Sequence, residues 1–136
     1  MLGQVTRDFP GKVRLVYKDY PLPFHAGARP AAVAARCAGE KGLFWEYHDL
    51  LFERAPKHGA DSLKAYAKEL QLDEAAFGQC LDSERYQADV NGDIGEGRKF
   101  GIRGTPTFYI NGLPLVGSHA AATFKRVIDG ELATTK

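Results

Sequence analysis

Gly101-Ile102-Arg103-Gly104-Thr105-Pro106-Thr107-Phe108-Tyr109-Ile110-Asn111-Gly112-Leu113-Pro114-Leu115-Val116 is a glycine-rich bend, a proline, and two short apolar runs joined by Asn-Gly. Thr107 to Ile110 is β-branched and aromatic, which favours a strand. Asn-Gly tolerates the positive φ values of a two-residue hairpin turn better than any other common pair. Pro114 has no N–H to give a ladder and marks Leu113 to Val116 as an edge strand. Ser118 then predicts the cap of a final helix whose buried stripe is Phe124, Val127, Ile128 and Leu132.

Working back from the bend, Ser83 to Phe100 carries Tyr86, Val90 and Ile94 at helical spacing, weakened by Gly92, Gly95 and Gly97. Asp73 predicts a cap for a helix burying Phe77, Cys80 and Leu81, and Asp61 one for a helix burying Leu63, Tyr66, Ala67 and Leu70. Phe44, Tyr47, His48 and Leu51 lie on one face of a helix that Pro56 closes, and Pro30 opens an Ala-rich helix with Cys37 on its apolar stripe. Val13-Arg14-Leu15-Val16-Tyr17 alternates as a strand does, and Leu2 to Asp8 reads as a helix tail stopped by Phe9-Pro10-Gly11. The predicted order is strand, helical block, hairpin, helix.

The chain of 136 residues is 44% hydrophobic and 26% charged, the balance of one globular domain large enough to bury a core. Its net charge of +1 and scattered basic residues argue against nucleic acid as a partner. No run reaches the roughly 18 to 20 apolar residues of a membrane span, and Met1 to Pro10 lacks a signal-peptide pattern. His25, His48, His58 and His119 show no metal-ligand spacing, so neither metal nor cofactor is expected. The glycines from Gly92 to Gly101 do not follow a nucleotide-loop order. Cys37 and Cys80 stand on inward faces of different helices, either as two buried thiols or as a disulfide.

The Gly-Thr-Pro-Thr-Phe bend with its hairpin resembles the thioredoxin superfamily. Val13 to Leu22, Ala34 to Phe52 and Phe77 to Leu81 narrow the resemblance to DsbA-like thiol:disulfide oxidoreductases, in family order. It implies an α/β thioredoxin-like fold over residues 1–136, with a helical insertion over 29–100 and with the first core strand and the start of the first helix missing. It implies a cis peptide bond before Pro106, a substrate backbone held by Gly104, Thr105 and Pro106, and a structural Cys37–Cys80 disulfide. A disulfide implies an extracytoplasmic, periplasm-like setting.

Family members carry Cys-x-x-Cys where a strand meets the first long helix, because a helix N-terminus lowers the thiol pKa and makes a reactive thiolate. Neither cysteine stands at that place, so no catalytic residue is assigned and the chain reads as a fragment or short form inactive in exchange by itself. The partner expected is a cysteine-containing or extended polypeptide. Without its central strand, the sheet would close by pairing Val13–Tyr17 with Thr107–Ile110, or by forming a homodimer. The alternatives are a redox-inactive polypeptide-binding module and a glutathione-dependent isomerase or transferase of the related branch.

Overall fold

A computed structural model describes residues 1–134. Seven helices and two strands follow in the order α1 (Leu2–Asp8), α2 (Ala28–Gly39), α3 (Phe44–Glu53), α4 (Ala60–Glu69), α5 (Glu74–Asp82), α6 (Gln87–Lys99), β1 (Thr107–Ile110), β2 (Leu113–Val116) and α7 (Ala121–Thr134). They fall into two compact units, one formed by residues 19–100 and the other by 1–18 with 101–134.

The unit of residues 19–100 is helical, and its core is built on α2. Ala31, Val33, Ala34, Ala35, Cys37 and Ala38 are all buried, so small side chains let neighbouring helices approach closely. Tyr47 and Leu51 of α3, Leu63, Tyr66 and Ala67 of α4, Phe77 and Cys80 of α5, and Val90 of α6 complete it. The buried Tyr47 hydroxyl donates to the Leu63 carbonyl at 2.7 Å, so a polar group is taken from water with its bond made. Asp73 caps α5 as the sequence predicts, its Oδ1 accepting from the Ala76 N–H at 2.8 Å.

The other unit contains the hairpin. Asn111 and Gly112 have φ of 50° and 85°, as the Asn-Gly turn requires, and Phe108 pairs with Leu115 in the antiparallel register. Phe108 packs its ring edge-on against Phe124 of α7 at 4.8 Å. Val5 and Phe9, from α1 and the residue after it, are buried with Phe124 and Ile128 in the same cluster.

Four sequence expectations are corrected. Val13 to Tyr17 is not a strand: the ladder among the described residues joins β1 to β2 alone, so the expected pairing with Thr107–Ile110 does not form. Its alternation survives as burial, with Val13 and Leu15 half-buried around an exposed Arg14 and Val13 packed on the α1–α7 cluster, because side-chain burial does not need ladder hydrogen bonds. Asp61 caps nothing, since the N-cap of α4 is Gly59, two positions earlier, and Asp61 falls inside the first turn. Ser118 lies upstream of α7, which begins at Ala121 with the Thr123 N–H bonded to the Ala120 carbonyl at 3.0 Å. The helix expected from Ser83 starts only at Gln87, because the Ser83 hydroxyl and N–H both turn back to the Cys80 carbonyl and terminate α5.

Candidate functional site

The residues expected to hold substrate lie on the bend ahead of β1. Gly101 supplies a φ of 74°, and the Thr105–Pro106 peptide bond is cis. The Gly104 carbonyl accepts from the Thr107 hydroxyl at 2.8 Å, and the Pro106 carbonyl accepts from the Gly117 N–H at 2.8 Å. The backbone on either side of Thr105 is therefore committed to holding the bend. Thr105 and Pro106 are exposed and Gly104 half-buried, and the Thr105 N–H and carbonyl have no hydrogen-bond partner among the described residues. An N–H and a carbonyl on one exposed residue are what an extended chain needs for β-type pairing.

In the helical unit, Cys37 in the last turn of α2 and Cys80 in the last turn of α5 form a disulfide, with S–S 2.09 Å and Cα–Cα 5.9 Å. Both cysteines are buried, at 4% and 2% exposure, and no free cysteine is present among the described residues. Above the bond lies Glu40, whose Oε1 is 3.7 Å from Cys80 Sγ. The same oxygen accepts from the Tyr86 hydroxyl at 2.7 Å and pairs with the Arg85 guanidinium. The Tyr86 hydrogen bond and the Arg85 charge hold the Glu40 carboxyl below the usual carboxylate range.

Asp19, 4% exposed, is a residue to which sequence reading assigned no role. Its Oδ2 accepts from Arg36 Nε at 2.7 Å, while Asp93 Oδ2 accepts from Arg36 Nη2 and from the Asp19 N–H, each at 2.8 Å. Burial pushes the Asp19 carboxyl above its ordinary value, and the Arg36 hydrogen bond and charge pull it part of the way back. The available signal was Arg36 itself, a cation set between Ala35 and Cys37 in an Ala-rich helix.

Each of the four histidines has its own neighbours. His48 rests between Trp45 and Phe52 at 5.3 and 4.8 Å, His58 Nε2 lies 2.9 Å from the Leu51 carbonyl oxygen, His119 Nε2 lies 2.8 Å from that of Val116, and His25 lies against Phe24. No cluster of metal-ligating side chains occurs among the described residues.

A family model described as Thioredoxin matches residues 1–130. The chain belongs to the thioredoxin family. That family is of the thiol:disulfide oxidoreductase type, and the fold is thioredoxin-like α/β. Curated relatives of this thioredoxin-family chain include a protein named Na(+)/H(+) antiporter NhaA 1 from Salinispora arenicola (strain CNS-205), 33% identical over 91% of the chain and 19% of the relative. Another is named Na(+)/H(+) antiporter NhaA 3, from Salinispora tropica (strain ATCC BAA-916 / DSM 44818 / JCM 13857 / NBRC 105044 / CNB-440), 38% identical over 74% of the chain and 16% of the relative. A third, named Na(+)/H(+) antiporter NhaA, from Herminiimonas arsenicoxydans, is 34% identical over 85% of the chain and 18% of the relative. The chain spans about a fifth of the length of these relatives. No solved structure matches it significantly. None of its described helices is long and apolar enough to cross a membrane.

Proposed function

We propose that this chain is a DsbA-like member of the family that holds an extended polypeptide at Gly104, Thr105 and Pro106, and that its own cysteines take no part in disulfide exchange. The observation that carries the reading is a division of labour. The Thr105 backbone is exposed with both hydrogen-bonding groups open, whereas both sulfurs are joined to each other and buried. Family exchange chemistry starts from a thiolate at a helix N-terminus, and Cys37 and Cys80 sit in the last turns of their helices, the ends that disfavour negative charge. Binding by backbone pairing needs no thiolate.

The test is an amide spectrum of isotope-labelled protein titrated with an extended, cysteine-free peptide and with the same peptide N-methylated on its backbone. The plain peptide should shift the Thr105 amide and the methylated one should not; equal shifts, or none, would sink the pairing role. An insulin-reduction assay tests the other half. Turbidity that appears with the chain and disappears with Cys37→Ser would make the pair catalytic after all.

The names of the relatives favour a second, compatible reading, in which the chain is the non-spanning module of a larger sodium–proton antiport system. The polypeptide held would then be a segment of a membrane protein. An extracytoplasmic setting belongs to the first reading, because a disulfide persists there. So does a homodimer through β2, where Leu113 and Val116 are exposed. Sedimentation velocity showing only monomer at micromolar concentration would remove the dimer.

A further inference from the structure

Three polar groups meet at the Cys80 end of the buried disulfide: the Glu40 carboxylate against Cys80, and Arg85 and Tyr86 holding that carboxylate. We propose that Glu40 guards the Cys37–Cys80 bond against thiol exchange, its negative charge opposing the thiolate that must form or arrive at Cys80. The inference rests on the reading of this disulfide as structural, and names what keeps it so.

Exchange has two routes. An external thiolate attacking Cys37 Sγ forms a mixed disulfide there and expels Cys80 as a thiolate, placing the new charge about 4 Å from Glu40. Attack on Cys80 Sγ expels Cys37 instead, and brings the incoming thiolate to the sulfur that already has the same carboxylate 3.7 Å away. Both routes therefore gather negative charge beside a group already negative, at the carbonyl ends of two helices that disfavour it further. Arg85 offsets part of the Glu40 charge, so it sets how strong the guard is.

That arrangement gives opposite signs to two substitutions. Glu40→Gln keeps an oxygen that can accept from Tyr86 and Arg85 but removes the charge, and should speed reduction by dithiothreitol roughly fivefold, the factor carried by a unit charge about 4 Å away in water. Arg85→Ala leaves the carboxylate uncompensated and should slow reduction. If Glu40 and Arg85 merely packed over the bond, both changes would loosen the cover and both would accelerate it.

The experiment follows reduction of the unmodified protein and the two variants by thiol trapping and mass spectrometry, well below the urea midpoint of each. A faster Glu40→Gln with a slower Arg85→Ala supports the guard. Equal rates, or acceleration in both variants, overturn it. The structural reading is judged separately: if insulin reduction by the unmodified protein shows the pair to be catalytic, that reading fails whatever the two rates are.

Discussion

Gly97 shows how a single residue is set by its neighbour rather than by its own helix. A Cβ there would stand 2.6 Å from Tyr20 Cε1 and 2.8 Å from Cδ1, whereas at Gly92 and Gly95 of the same helix nothing lies within 4 Å. Gly97→Ala should therefore destabilise by about 1–3 kcal/mol through overpacking. Gly92→Ala and Gly95→Ala should stabilise by up to ~1 kcal/mol, because alanine is the better helix former. Urea midpoints of the three variants check the contrast, and a stabilised Gly97→Ala would mean that Tyr20 moves aside freely. Arg36 is a second such residue. Truncating it to methionine strands the buried Asp19 charge and should cost about 3 kcal/mol at neutral pH. Asp19 has a raised carboxyl pKa in the folded state, so its contribution to stability is full below the ordinary carboxylate value and is lost as pH rises through the raised one. Removing Arg36 raises that value further, so the loss in Arg36→Met should shrink in acidic buffer. A loss of equal size across that range would contradict the sign.

At the scale of elements, α5 is held at both ends. Asp73 caps its start, and Asp73→Ala should cost ~1 kcal/mol, while Asp61→Ala in α4, where the carboxylate caps nothing, should be close to neutral by thermal unfolding. The Cys37–Cys80 bond ties the last turn of α5 to α2 across a sequence separation of 43. Removing it in a Cys37→Ala, Cys80→Ala double variant should lower stability by roughly 4 kcal/mol through the freed unfolded chain. A double variant as stable as the parent would show that the core alone holds these helices. Most of these elements were legible in the chain, because amphipathic spacing, Asn-Gly and Asp73 each act locally. Val13–Tyr17 was not. Its alternation is real, but a strand exists only where a second strand offers hydrogen bonds, and no local signal reports that.

For the molecule as a whole, burial is uneven. The unit of residues 19–100 centres on Val33, Ala34, Tyr47, Leu63, Ala67 and Val90, while the unit carrying the hairpin buries Val5, Phe9, Phe124 and Ile128. Amides of α2, α3 and α4 should accordingly exchange with deuterium more slowly than those of α1 and α7, since the free energy of local opening follows the apolar contacts that must be broken. The reverse order in an exchange time course would mean that stability is distributed otherwise. The sequence by itself determined the helical block, the hairpin, the inward cysteines and the Gly104-Thr105-Pro106 bend, because periodicity and turn chemistry are properties of neighbouring residues. Only the tertiary structure decided that Glu40 meets Cys80, that Arg36 joins Asp19 to Asp93, and that Tyr20 excludes a side chain at Gly97. Each of those depends on which helix face packs against which, and burial then makes a charge, a hydrogen bond or a missing methyl matter.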